Sequence, residues 1–296
     1  MTTPEPPVRP TDAETADRLR GAPFEPIGRF ADASNATLLV RLTDRDPRTH
    51  EDLAADLGRD PALDDVDPVD LAVYKPRRGA APLWDFPAGT LHQREVAAYE
   101  ISAALGWDLV PVTVLVDDGP FGVGSLQRFV PHDPTHHYFH LLDHGDEDVI
   151  DQLRAMVVLD AVIDNADRKG GHVLLEHPVT TGSTGGADAG DAGDAADAEP
   201  LLSGRIQLVD HGVSFNVEDK LRTVGWHFAG EPVPEVLRAD VVRLGQAVVG
   251  GPLGERLAGL LAPEEVAVLL DRIARVAELT RFPEPSGRHP FPWPML

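Results

Sequence analysis

Apolar positions along the chain change period several times, and each change predicts an element. Leu38, Val40 and Leu42 fall on every second position, the period of a half-buried strand. With residues 26–30 before them and the small polar stretch 31–35 between, they predict a strand pair. Leu71 to Lys75 is a short β-type run that Pro76 ends, because proline has no N–H to give a ladder. Over 93–105 the period lengthens: Ala97, Ile101, Ala104 and Leu105 recur at helical spacing and Gly106 stops them. Residues 112–116 and 124–130 return to strand character around the turn Asp117-Asp118-Gly119-Pro120.

The second half reads differently. Residues 149–163 are strongly helical, with Ile150, Leu153, Val157 and Val158 on one face. A polar loop over 164–171 leads to a strand at 172–175, and a second strand at 205–209 follows a Gly, Ala and Asp insert centred on 180–198. Helices are expected over 236–249, 254–261 and 263–279. The pattern predicts an α+β, bilobal, protein-kinase-like fold: a small antiparallel β lobe with one main helix, then a larger, mainly helical lobe. The expected divisions are a disordered N-terminal tail (1–22), the β lobe (23–130), the helical lobe (131–281, with a disordered insert at 178–203) and a Pro-rich C-terminal tail (282–296). That tail is expected to pack on the body or bind a partner.

Charge narrows the possible partners. The 296 residues hold 26 Lys and Arg against 49 Asp and Glu, a formal net charge of −23. Phosphate backbones and anionic headgroups are bound chiefly through basic side chains, so nucleic acid is excluded and a membrane surface disfavoured. With no cysteine, thiol catalysis and disulfides are excluded. The polar, Pro-rich start has no apolar signal segment, and a soluble cytoplasmic protein is expected. Only Lys75, Lys169 and Lys220 are lysine; the other basic residues are arginine. Where arginine is the default, a lysine invites a reason.

Phosphoryl transfer needs a cation on the phosphates, metal-binding carboxylates and an Asp beside the attacking hydroxyl. The chain offers them in order. Lys75 ends a strand, Glu95 opens the helix that follows, Asp167-Arg168 sits in the loop after the long helix, and Asp210-His211-Gly212 follows the apolar run Ile206-Gln207-Leu208-Val209. Helical periodicity places Glu100 nearer the apolar stripe than Glu95, so it leaves the choice between them open.

The segments VYKP (73–76), REVAAYEISAALG (94–106) with VP (110–111), GSLQRFV (124–130), NADRKGGHVLL (165–175) and LVDHG (208–212) resemble the phosphatidylinositol 3-/4-kinase-like family, and more closely actinobacterial kinase-like proteins. The resemblance spans roughly residues 26 to 280 as spaced motifs. It implies a nucleotide-binding phosphotransferase using ATP and Mg²⁺, or Mn²⁺. By it, Ser34 and Asn35 lie in the phosphate-covering turn, Lys75 holds the phosphates, and Glu95 orients Lys75. Gln127, Arg128, Phe129 and Val130 form the hinge that meets adenine. Asp167, with Arg168, is the catalytic pair, and Asp210 and His172 are the metal-site residues. His172 stands where such kinases carry an asparagine for a second metal, which opens the alternative of a nucleotide-binding pseudokinase acting as a regulatory or scaffold module. The acceptor is expected to be a soluble protein or small molecule.

Two further groups stay open. Arg222, Trp226 and His227 fall where kinases position substrate, or form a surface loop with a packed Trp. Histidines 132, 136, 137, 140 and 144 invite a zinc reading, as in a zinc hydrolase; His136 and His140 would share a face if helical, while the bland alternative is a polar connection between lobes.

Overall fold

A computed structural model describes residues 11–30, 35–43, 67–177, 201–286 and 289–296. The described residues open with a helix where the composition suggests a tail. In α1 (Asp12–Gly21), Thr11 caps the Glu14 N–H while Glu14 reaches back to the Thr11 N–H. Ala16 and Leu19 are buried with Phe24, Val40 and Val114 in the core of the β lobe. The capping box and two apolar anchors overcome a segment otherwise poor in hydrophobic residues.

Five antiparallel strands follow in the order β1-β2-β3-β5-β4: β1 (Phe24–Arg29), β2 (Leu38–Leu42), β3 (Leu71–Pro76), β4 (Thr113–Gly119) and β5 (Gly122–Arg128). Register places Lys75 opposite Ser125 and Pro76 opposite Gly124, so the proline closes the ladder. Only glycine fits at 124, since a Cβ there would stand 2.6 Å from both the Lys75 carbonyl oxygen and the Tyr74 ring. The strand carrying Lys75 is thereby held tight against its neighbour. Helix α2 (Leu91–Leu105) ends where Gly106 takes φ of 73°. It is buried nearly all round, because one side meets the sheet and Ala97, Ala98 and Ile101 enter the core of the helical lobe. A single apolar stripe could not have revealed this.

The larger lobe is built on α4 (Glu147–Ile163), capped by Asp146 and buried along most of its length. It is preceded by a short helix, α3 (Tyr138–His144), in the segment expected to be a plain connection. Around α4 lie the hairpin β6 (Val173–Leu175) and β7 (Ile206–Leu208), then α5 (Glu235–Val248), α6 (Pro252–Ala258) and α7 (Pro263–Ala277). The bilobal α+β fold expected is thus the one observed. Most of the insert, and Ser34, lie outside the described residues. The end of the expected insert is ordered, however: Leu202 bridges Gly145 and packs on the core. The C-terminal segment lies on the body, with the Pro290 carbonyl accepting from Trp226 Nε1 at 2.7 Å and the Met295 carbonyl from the Gly170 N–H at 2.7 Å. Among the described residues no helix is long and apolar enough to cross a membrane.

Candidate active site

Three elements distant in sequence meet at Lys75. Its Nζ pairs with Glu95 Oε1 and lies 2.9 Å from Asp210 Oδ1. The helix therefore offers Glu95, which is buried, and not Glu100, which pairs with Arg256 at 2.7 Å. Burial alone would lower the Lys75 pKa, but Asp210 and Glu95 together outweigh it and hold the ammonium above its ordinary value. Glu95 is likewise kept ionised against its burial, by Lys75 foremost, and its second oxygen accepts from the His211 N–H at 3.0 Å. Asp210 is depressed chiefly by Lys75. Its side chain remains 48% exposed while those of Lys75 and Glu95 are 19% and 3% exposed, so the carboxylate is the open end of the triad.

Backbone geometry aims that carboxylate. Asp210 adopts φ of 61°, a left-handed conformation that costs a non-glycine residue about 1 kcal/mol or more unless its surroundings hold it. The Val209 carbonyl, just before it, accepts from Arg168 Nη1 at 2.7 Å, and the His211 amide is held by Glu95.

The loop after α4 faces this triad. Asp164, also left-handed at φ 53°, ends the helix, and the Asn165 side chain accepts from the Asp167 N–H at 2.9 Å. Residues 165–168 pair with 222–224 through Arg222 N–H to the Asn165 carbonyl, Arg168 N–H to the Arg222 carbonyl and Val224 N–H to the Arg168 carbonyl. Asp167 projects partly open, 3.4 Å from Lys169 Nζ. Burial raises its pKa, Lys169 opposes this, and the nearby Asp210 charge adds to the rise. Two carboxylates with pKa values pushed in opposite directions share the site, as one holding a cation and one handling a proton would.

His172 is present but does not suit the metal role expected of it. Its Nδ1 accepts from the Lys169 N–H at 3.3 Å, so a neutral ring carries its proton on Nε2, the nitrogen 3.5 Å from Asp210 Oδ2. Burial brings its pKa down to about 4, so the ring is neutral at pH 7. A protonated Nε2 has no lone pair for a metal. The residue serves instead to face Asp210 with a donor.

Arg168 requires a second correction. Its side chain is fully buried: Nε and Nη2 reach Asp160 Oδ1 at 3.1 and 3.0 Å, within the core beneath the loop. It cannot touch a substrate and acts by positioning the loop. Gln127 is also displaced from its expected role. It is still within β5, one residue from its end, paired with Val73 on one side and Thr113 on the other, and its side chain donates to Thr113 Oγ1 at 2.8 Å. Arg128 is held by Glu176 at 2.6 Å, and the Phe129 N–H by the Leu71 carbonyl. The Val130 N–H makes no hydrogen bond among the described residues. Asn35 Oδ1 accepts from the Ala81 N–H at 2.7 Å, which ties its turn to the segment after β3.

Protein Rv2133c of Mycobacterium tuberculosis (strain ATCC 25618 / H37Rv) is 35% identical over 299 residues, spanning 90% of this chain and 90% of that protein. The chain belongs to the Rv2133c family. It matches no protein-family model. Among solved structures it is similar to the Golgi casein kinase with Mn/ADP bound (13% identity, TM-score 0.49, covering 90% of this chain and 74% of that one). It is also similar to the Helicobacter pylori proinflammatory kinase CtkA (9% identity, TM-score 0.46, covering 89% and 94%). Likenesses this distant carry no argument about activity.

This member of the Rv2133c family holds its candidate site with residues for which the motifs suggest no role. Arg94, next to Glu95, is fully buried; it pairs with Glu265 at the start of α7 and donates to the Ser214 carbonyl at 2.5 Å. It therefore pins α2, and with it Glu95, to the helical lobe. Lys220, the lysine without an evident role, bonds Asp85 at 2.9 Å and lies over the Trp84 ring. Trp226 is buried, so of the suggested substrate-positioning group only Arg222 and His227 stay exposed.

Asp164 yields a pH prediction. Burial, only partly opposed by Arg272, lifts its pKa from 3.8 to about 6. The folded state then binds the extra proton, so this contribution to stability is complete below pH 3.8 and is lost as pH rises through about 6, an effect of about 3 kcal/mol. Asp164→Asn should lack that decline. Urea unfolding at pH 4.5 and 7 is expected to show the variant gaining on the wild type with rising pH; parallel profiles would contradict it.

Proposed function

We propose that this protein is an ATP-dependent phosphotransferase that uses one divalent cation, Mg²⁺ or Mn²⁺, and acts on a hydroxyl of a soluble protein or small molecule. The observation carrying this reading is the convergence of Lys75, Glu95 and Asp210, with Asp167 on the facing loop. Asp210 fits a hard cation: an ionised, half-open carboxylate whose partners hold it in place. A cation there would neutralise charge along the phosphate chain. Lys75, held charged by its two carboxylates, donates to phosphate oxygens. Asp167, with its raised pKa, orients the acceptor hydroxyl and takes its proton. The Val130 N–H is the adenine donor. The net charge of −23 favours a soluble acceptor over an anionic lipid surface, so the resemblance to phosphatidylinositol kinases is read as one of fold and not of substrate.

The test is ATP turnover and self-phosphorylation by the wild-type protein in Mg²⁺ and in Mn²⁺. Transfer in either supports the reading. His172 favours the pseudokinase as the second reading, because it places a donor where a second cation would need a ligand. Thermal stabilisation by ATP with no phosphate released would select it. His172→Asn, which supplies an amide oxygen, is expected to raise Mg²⁺-dependent turnover about tenfold if the imidazole is the impediment; unchanged turnover would clear His172.

A further inference from the structure

The segment leaving β5 carries a cluster of imidazoles that the phosphate site does not use. It turns back on itself where the His136 N–H donates to the Asp133 carbonyl at 3.0 Å, which sets the side chains of residues 133 and 136 together. A second stretch comes alongside. His132 bridges Glu176, and the His177 N–H donates to the Pro131 carbonyl at 2.9 Å. These backbone bonds bring one carboxylate oxygen of Asp133 and one ring nitrogen each of His136 and His177 within 4.8 Å of one another.

The donors suit a borderline cation. Two imidazoles and a carboxylate match Zn²⁺ or Co²⁺, whereas Mg²⁺ prefers oxygen throughout. The Thr135 N–H and Oγ1 both donate to Asp133 Oδ1, at 2.8 and 2.6 Å, fixing the carboxylate and leaving Oδ2. His136 Nδ1 is buried with no hydrogen-bond partner among the described residues. None of the three residues is fully buried, so a hydrated ion has a way in. Solvent can fill a fourth, tetrahedral position.

We propose that Asp133, His136 and His177 form a Zn²⁺ site that fastens the connection between the lobes to the end of β6. The tie lies one residue from the Arg128–Glu176 ion pair, so both act on the same joint. The set differs from the His136–His140 pair that helical spacing suggests. His140 instead stacks on His136, with ring centroids 5.2 Å apart. His132 Nδ1 is engaged 2.7 Å from the Val130 carbonyl.

The test uses the full chain without an affinity tag, stripped by chelator and titrated with Co²⁺, then Zn²⁺. One equivalent of Co²⁺ should give the visible absorption of a four-coordinate ion, bleached by Zn²⁺, and Zn²⁺ should raise the unfolding temperature. His136→Ala and His177→Ala should each abolish the band. Thr135→Val should keep it at about tenfold weaker affinity. His140→Ala and Asp210→Asn should bind as the wild type does. Should His136→Ala fail to fold, His177→Gln asks the same question at a less enclosed position. The proposal is overturned by a wild-type protein without band or Zn²⁺ stabilisation, by ligand variants that retain the band, or by its loss in Asp210→Asn or His140→Ala.

Discussion

Asp210→Ala is expected to lower ATP turnover by about 10³-fold or more, the scale seen when a preorganised electrostatic group is deleted from a phosphate or oxyanion site. The expectation follows from the role of its carboxylate as the open end of the triad and the partner of Lys75. Metal-dependent stabilisation by ATP should vanish with it. Lys75 would keep Glu95 as a partner, so the fold should survive, and a near-wild-type unfolding midpoint without nucleotide would separate loss of the site from loss of the protein. Turnover within tenfold of the wild type would remove Asp210 from the site and sink the phosphotransfer reading.

Arg168→Ala should produce the largest stability loss. The guanidinium and the Asp160 carboxylate are both fully buried, and Asp160 also accepts from Thr223 Oγ1 at 3.1 Å. Removing one partner of a buried pair leaves an uncompensated charge and typically costs about 3–5 kcal/mol. That is a large part of the ~5–15 kcal/mol by which domains are stable. Because Arg168 Nη1 also holds the Val209 carbonyl, the change loosens the turn that presents Asp210. Urea unfolding gives the measurement. The double variant Asp160→Leu with Arg168→Met should lose less than Asp160→Leu and Arg168→Met lose in sum, since neither charge is then stranded. A single-variant cost below about 1 kcal/mol would show that water reaches the pair.

Local chemistry made much of the fold legible. The two-residue alternation at Leu38, Val40 and Leu42, the stop at Pro76, the Gly106 terminator and the apolar face of α4 are statements about one segment each, and all are found where they were expected. Helix α1 carries one legible local signal, the Thr11 and Glu14 capping box, but with only Ala16 and Leu19 buried it shows no apolar stripe, and its place is set by packing on the sheet. Helix α3 was hidden by histidines, which carry a weak helical signal.

For the candidate site, the order of motifs along the chain singles out Lys75, Asp167 and Asp210, while for the helix glutamate periodicity leaves Glu95 and Glu100 open and the family resemblance chooses Glu95. Residue type alone could not tell which polar groups face outward. Arg168 reads as a site arginine, yet it is fully buried; Gln127 reads as hinge, yet it is paired on both sides near the end of β5; and His172 reads as a ligand, yet its hydrogen bond from Lys169 selects the other tautomer. Each outcome turns on which partner the fold supplies: Asp160 in α4, eight residues before Arg168, Thr113 across the ladder from Gln127, and the Lys169 N–H against His172 Nδ1.

The sequence by itself determined the charge of the protein, most of its elements and the order of the candidate site motifs, because these depend on side-chain chemistry and short-range periodicity. Only the tertiary structure placed Glu95, and not Glu100, against Lys75, buried Arg168 away from the open site, and brought Asp133 and His136 to His177. Those choices are distances between segments, and no local pattern encodes a distance.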